Sequence, residues 1–129
     1  MRKLLLTLVL LTTPALAEEP IDPATVDKAM YDDMFGTYKI SNESGKKHCT
    51  VVLKRDTTIG GMEIDVSKRC IKLFPVMDKV TAWRLMEGWA IVFADAERHE
   101  LIRFYTPDDR YISEPETDGI FTIEKVDGT

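Results

Sequence analysis

The two cysteines of the chain, Cys49 and Cys70, flank a stretch in which apolar and polar residues alternate. Every second residue is apolar in 49–53 and again in 62–66, and this period places the apolar side chains on one face of a strand. Gly60 and Gly61 interrupt the pattern between the two runs, as a tight turn requires. The cysteines therefore bracket a predicted β-hairpin, and their chemistry depends on the compartment in which the chain folds.

The N-terminus has the three regions of a secretory signal peptide. Arg2 and Lys3 are followed by an almost wholly apolar run over residues 4–11, and then by Ala15 and Ala17 in an A-x-A pattern. The apolar run is too short to span a bilayer. We therefore predict a signal peptide over 1–17, cleavage after Ala17, and a periplasmic or secreted mature chain. No cysteine lies near the cleavage site, so we expect no lipid anchor.

An oxidising compartment favours a disulfide between Cys49 and Cys70. The alternatives are a metal site or free thiols, but two cysteines without a close C-x-x-C pair make a poor zinc site.

The mature chain is 112 residues long, the full 129 less the predicted 17-residue leader, and this length fits one domain. Loss of Arg2 and Lys3 leaves 15 basic against 22 acidic residues, a net charge of −7. This balance argues against nucleic acid or an anionic membrane as a partner, because both require clustered Lys and Arg. We expect a monomer with an N-terminal region over 18–34 and a β-domain over 35–129.

The region before the β-domain begins with an extended segment and continues as a predicted helix. Asp22 followed by Pro23 is a helix-start signal. Val26, Met30 and Met34 recur every four residues and predict one apolar stripe on a helix over 23–34. Such a helix either packs on the end of the β-domain or docks a partner.

The rest of the chain has the pattern of short strands with a turn every eight to twelve residues, which is typical of an antiparallel sandwich or barrel. We interpret it as a small β-barrel. Residues 70–74 are compatible with a helical turn or a strand. Trp89, Ile91 and Phe93 are expected on one face of their strand, and Phe121 and Ile123 on one face of the last. The predicted strands are residues 35–40, 49–53, 62–66, 80–85, 89–94, 101–105, 110–112 and 120–126.

The polar residues give little support for an enzyme. His48 and His99 are the only histidines, and a hydrolytic triad would need a serine or cysteine activated by one of them. There is no glycine-rich phosphate loop. We therefore predict a non-enzyme without a cofactor or a metal. The aromatic residues are expected to form a packed core, with a ligand cavity as the alternative; they are Trp83, Trp89, Phe93, Phe104, Tyr105 and Phe121.

The order of several short motifs resembles a known family. The motifs are Gly36-Thr37-Tyr38, His48-Cys49, Cys70-Ile71-Lys72-Leu73 before a proline, Ala82-Trp83-Arg84, Gly88 before an apolar strand, and Phe104 before Arg110-Tyr111. Over about residues 36–126 the chain is similar to the Inh-type inhibitors of bacterial metalloproteases, the alkaline proteinase inhibitors of serralysin-like enzymes. Related domains occur in outer-membrane lipoproteins of alphaproteobacteria.

The resemblance implies an eight-stranded antiparallel up-and-down barrel, similar to streptavidin and the lipocalins, with one disulfide. It also implies a periplasmic inhibitor whose N-terminal trunk enters the cleft of a zinc metalloprotease, with its amine on the catalytic zinc. In this chain the trunk is formed by Glu18, Glu19, Pro20, Ile21 and Asp22. The inhibitor hypothesis predicts a protruding trunk and a filled barrel. The alternative, a ligand-binding or structural envelope barrel, predicts an open aromatic pocket and an N-terminus folded against the barrel.

Overall fold

A computed structural model describes Thr7 and residues 18–128, and the remainder of the predicted signal peptide lies outside them. Eight antiparallel strands follow one another around a closed barrel, in which β8 pairs with β1. The predicted fold class is therefore confirmed. The strands are β1 (Gly36–Ser41), β2 (His48–Thr58), β3 (Gly61–Val66), β4 (Ala82–Leu85), β5 (Ile91–Ala94), β6 (Glu100–Tyr105), β7 (Tyr111–Thr117) and β8 (Ile120–Lys125).

The single helix predicted over 23–34 is in fact two short helices. A 3-10 helix, Pro23–Thr25, is capped by Asp22, whose Oδ1 accepts a hydrogen bond from the Ala24 amide at 3.0 Å. Asp27 then starts α1 (Lys28–Asp33) as a second N-cap. The prediction was wrong because two capping carboxylates compete for one short stretch. Within the described residues, no helix is long and apolar enough to cross a bilayer.

Helix α1 packs on the end of the barrel where β1 begins. Tyr31 and Phe35 meet edge to face with ring centroids 5.2 Å apart, and Phe35 meets Trp83 of the core in the same way at 5.7 Å. The Arg55 guanidinium lies 4.2 Å from the Phe35 ring centroid and 2.7 Å from the Asp32 carboxylate. These contacts confirm the end-packing role of the region. Of the predicted apolar stripe, Met30 is 55 % exposed, whereas Val26 is partly buried and Met34 packs against the core with Tyr31 and Phe35.

The predicted disulfide is present and joins β2 to a helix. Cys70 lies in α2 (Lys68–Leu73), which starts at Ser67, whose side chain accepts a hydrogen bond from the Cys70 amide. Cys49 and Cys70 are bonded with their Cα atoms 5.1 Å apart. The ambiguous stretch after Cys70 is therefore helical. A cross-link closing a loop of this length contributes roughly 3 kcal/mol in the chain-entropy model.

The weakest backbone junction of the barrel lies between β3 and β4. These strands pair at a single position, Met62 with Trp83. The connection between them carries α2 and the 3-10 helix Pro75–Lys79, so the two strands are not a simple hairpin. Trp83 is fully buried, and its indole Nε1 donates a hydrogen bond to the Lys54 carbonyl of β2 at 3.0 Å. One side chain thus ties β4 to the strand beyond its neighbour.

The barrel interior is filled by large apolar side chains. Trp83, Phe74, Phe93 and Phe104 are each at most 1 % exposed, and the rings of Phe93 and Phe104 pack edge to face. The remaining predicted aromatic residues lie at the periphery: Tyr105 is 39 % exposed, and Trp89 and Phe121 are half-buried. Ile120 and Ile123, rather than Phe121, supply the buried apolar side chains of β8. A packed core is what the inhibitor hypothesis predicts.

Gly61 should be the glycine least able to accept a side chain. At its φ of +154° a Cβ would collide with the Trp83 carbonyl oxygen across the β3–β4 junction, whereas Gly45 (φ +76°) has open space around it. We expect Gly61→Ala to lower the free energy of unfolding by more than about 2 kcal/mol, and the control Gly45→Ala by about 1 kcal/mol. Urea unfolding followed by fluorescence measures both. Equal losses would contradict the proposed close approach at the junction.

Candidate functional site

The N-terminal segment, residues 18–22, is extended and lies against the end of β4. The Ile21 amide donates to the Leu85 carbonyl at 2.9 Å, and the Glu87 amide donates to the Glu19 carbonyl at 2.9 Å. Pro20 forms a β-bridge with Met86. The protruding trunk predicted by the inhibitor hypothesis is therefore not what the structure has; an N-terminus folded against the barrel is what the ligand-binding or envelope alternative predicts. The physical reason is the sparse β3–β4 pairing, which leaves the backbone of β4 after Trp83 available for another strand-like partner.

Most of the N-terminal segment is nevertheless accessible. Glu18, Glu19, Pro20 and Asp22 are exposed, and only Ile21 is partly buried. The Asp22 cap at the start of the 3-10 helix fixes the point from which the segment leaves the folded domain. The backbone of the segment is thus held while its side chains remain open to a partner.

An arginine on β6 anchors the first residue of the segment. The Arg103 guanidinium forms ion pairs with the Glu18 carboxylate and with Glu100, and its Nε donates to Glu100 Oε1 at 3.0 Å. The Arg103 side chain is only 13 % exposed. The hydrogen bond to Glu100, and that to Glu18, raise the pKa of Arg103 against the opposing effect of burial. One partly buried cation therefore holds two carboxylates at the rim.

The turn between β4 and β5 contacts the segment and has an unusual backbone. Gly88 (φ 78°) is followed by Trp89 (φ 67°), so a bulky residue occupies the left-handed region. This conformation costs roughly 1–2 kcal/mol for a residue with a side chain. The Tyr111 hydroxyl donates to the Trp89 carbonyl at 2.6 Å and helps to hold it. Because strained residues of this kind cluster at functional sites, the β4–β5 turn is a candidate part of such a site.

Trp89 is also where the predicted β5 differs from the observed strand. The alternation of residues 89–94 suggested that Trp89 shares a face with Ile91 and Phe93, but β5 begins only at Ile91. The strand cannot include Trp89 because the Glu87-Gly88 turn extends through it. The only sequence signal for this turn was Gly88 itself.

The histidines do not come together. His99 lies in the β5–β6 turn with Asp95 and Glu97, where one ligand atom from each residue falls within 4.8 Å of the others, whereas His48 begins β2. Asp95 Oδ1 accepts hydrogen bonds from the backbone amides of Glu97 and His99. Burial alone would raise the Asp95 pKa, but the hydrogen bonds from His99 outweigh it and lower that pKa. The cluster thus has a structural role in the turn.

Removing the Arg103 anchor should loosen the N-terminal segment. In Arg103→Gln the Glu18 carboxylate loses its cation, and we expect the amides of Ile21 and Glu87 to exchange with solvent roughly threefold faster, as for a partly exposed ion pair. Hydrogen exchange by NMR measures both amides in the chain that begins at Glu18. Arg110→Gln, in the β6–β7 turn, is the matched control. Unchanged exchange in both variants would contradict an anchoring role for Arg103.

Tyr111 should make the rim sensitive to alkali. Burial raises the Tyr111 pKa from 10.0 to about 12, so the folded state keeps a proton that the unfolded state loses. Stability is then intact below pH 10 and declines as the pH rises towards 12. Burial also raises the pKa of Tyr38, so Tyr111→Phe should show a smaller decline rather than none. Urea unfolding at several pH values tests this, and equal slopes for both proteins would contradict it.

Comparison with known proteins supports the resemblance found in the sequence. The family model described as "Protease inhibitor Inh" matches residues 28–125, which include α1 and all eight strands. None of the curated proteins compared with the sequence matches it. The matched region contains the disulfide, the Trp83 junction and Arg103, and it begins after the N-terminal segment. The chain belongs to the Inh family of protease inhibitors.

Proposed function

We propose that this inhibitor acts on a bacterial zinc metalloprotease of the serralysin type, and that its N-terminal segment enters the active-site cleft. The observation that carries the proposal is the placement of residues 18–22. They form an extended, largely exposed segment held against the rim of a closed and filled barrel. A protease cleft binds its substrates as extended chains, and a rigid barrel can present such a chain at low entropic cost.

Signal cleavage after Ala17 would create the reactive terminus. The α-amine of Glu18 would then be free, and an α-amine has a pKa of about 7.7–8.0. A catalytic zinc keeps an open coordination position and binds nitrogen ligands in their deprotonated form. Near neutral pH binding to the metal would therefore displace the amine's proton into water at small cost. The Glu18 carboxylate offers the zinc a second possible ligand on the same residue.

Few contacts oppose release of the segment from the barrel. They are the two backbone hydrogen bonds at Leu85 and Glu87, which each contribute about 1 kcal/mol, the partly exposed Glu18–Arg103 ion pair, and the packing of Ile21 on the core. A protease cleft can replace both backbone hydrogen bonds with its own. Pro20 and Pro23 restrict the backbone on either side of Asp22, which limits the entropy lost on insertion. The docked segment is thus already extended, as a protease cleft requires of a bound chain.

The inhibitor would act in the periplasm or outside the cell. A chain exported through a signal peptide and closed by a disulfide is suited to the periplasm or the extracellular space. There a monomeric inhibitor would protect envelope proteins from a protease on its way out of the cell. The aromatic packing inside the barrel disfavours the alternative of a ligand held in its interior.

Three forms of the mature protein test the mechanism. The first begins at Glu18 with a free amine, the second is identical but N-acetylated, and the third lacks residues 18–22. We expect the free form to inhibit a zinc protease, the acetylated form to inhibit it at least about tenfold less well because the amine ligand is lost, and the truncated form not to inhibit. Inhibition constants against a panel of zinc and serine proteases provide the measurement.

Thermal unfolding of each form shows whether a loss of inhibition reflects a loss of fold. Equal inhibition by the free and truncated forms would move the contact surface to the barrel and contradict the proposal. Inhibition restricted to serine proteases would contradict the assignment of the target class. Acetylation without effect would exclude the amine as the zinc ligand.

A further inference from the structure

A groove opens in the barrel wall beside β4, between the β2–β3 turn and the N-terminal segment. Its volume is about 400 Å³, within the range of small-molecule sites. Its walls are mainly apolar. They are formed by Pro20, Ile21, Tyr31, Met62, Trp83 and Leu85, together with Gly60 and Gly61. Its floor is formed by Trp83 and Leu85 of the barrel core, and it opens where β3 and β4 diverge on either side of their single pair.

The charged residues of the groove all have one sign. Arg84 and Arg98 line it, and none of the aspartates and glutamates in the described residues does, although acidic residues outnumber basic ones in the chain by 22 to 17. Neither arginine forms an ion pair with any residue that the structure describes. Two cations beside an apolar surface, with no carboxylate to neutralise them, create a local attraction for an anion.

The Arg84 guanidinium is fixed in place before any ligand arrives. Its Nε donates to the Gly60 carbonyl at 2.5 Å, and its Nη2 donates to the Arg98 carbonyl at 2.8 Å. Within the described part of the chain these two bonds leave Nη1 without an acceptor, so it can donate to a bound anion. A guanidinium held by backbone carbonyls loses little entropy on binding a carboxylate.

We propose that this groove binds a small apolar carboxylate, such as a medium-chain fatty acid or an aryl-alkanoate. The carboxylate would accept hydrogen bonds from Arg84 and Arg98, and the hydrocarbon part would lie on Pro20, Ile21 and Met62. A purely apolar ligand would bring no negative charge to the two guanidinium groups. A small ion such as acetate would leave the apolar walls exposed to water. The site therefore selects molecules that carry both features.

The N-terminal segment is part of this site, because Pro20 and Ile21 form one of its walls. A bound carboxylate would gain contacts only while the segment lies on the barrel. Binding therefore stabilises the docked segment by mass action and slows exchange of the Ile21 amide, which is bonded to Leu85. This coupling is a property of the free protein and does not depend on the identity of any protease.

NMR titration of the mature protein tests the site, with phenylpropionate and decanoate as ligands. Phenylpropionamide, which keeps the shape but not the charge, and acetate, which keeps only the charge, are the controls. We expect saturable binding of the two apolar carboxylates with shifts centred on Ile21, Gly60, Met62 and Arg98. Phenylpropionamide and acetate should each bind about tenfold or more weakly.

Two variants make the test specific. Arg98→Gln removes one cation without touching the Arg98 carbonyl that holds Arg84, and deletion of residues 18–22 removes one wall. Each should weaken phenylpropionate binding about tenfold, while Arg110→Gln in the β6–β7 turn should not change it. The proposal is overturned by the absence of saturable binding of both carboxylates, by equal binding of the amide, or by variants that bind like the wild type. None of these results bears on inhibition, which is measured separately.

Discussion

The structure depends on how the barrel closes between β3 and β4. Adjacent strands elsewhere in the barrel share at least two paired positions, but this junction has only Met62 opposite Trp83. The Trp83 indole compensates by filling the core and by bonding to the Lys54 carbonyl on β2. This bond also gives a donor to a carbonyl at the irregular part of β2. The disulfide tethers the connection that crosses the same junction.

The sparse junction accounts for where the N-terminal segment lies on the barrel. Where β3 leaves β4, the backbone at Leu85 and Glu87 is free to bond the N-terminal segment. The same divergence opens the groove in which Arg84 and Arg98 face an apolar surface. A fully paired barrel would have neither unpaired backbone groups to bond the segment nor a groove beside it. The strands are incompletely paired at this one junction. Trp83 and the disulfide hold the junction together, and the backbone beside it can still bond the N-terminal segment.

Sequence patterns predicted those parts of the fold that depend on local chemistry. The alternation around Cys49 and Cys70, the Gly60-Gly61 turn and the Asp22 cap all follow from residue type and spacing, and all are present. The short run after Cys70 remained ambiguous because five residues fit either period, although Ser67 is an N-cap that favours the helix. The break of the N-terminal helix at Val26 followed from the second cap, Asp27.

The features of the rim could not be predicted because they depend on long-range contacts. Trp89 fits the alternation of a strand, and its left-handed conformation is held by Tyr111, 22 residues away. The position of the N-terminal segment depends on its contacts with Leu85 and with Arg103, which is 85 residues from Glu18. Neither spacing nor composition reveals which carbonyl is left unpaired at the end of a strand. At these positions the long-range contacts override the local conformational preference of the residues.

We propose that the Glu18 amine binds the zinc of a target protease, and the metal itself can report this binding. In a protease whose zinc is replaced by cobalt, a change of ligand at the metal alters the visible absorption spectrum. Addition of the free-amine inhibitor should change that spectrum at one equivalent, and the N-acetylated form should not. An unchanged spectrum under full inhibition by the free-amine form would contradict the claim, because the protease would then be blocked without contact between the inhibitor and its metal.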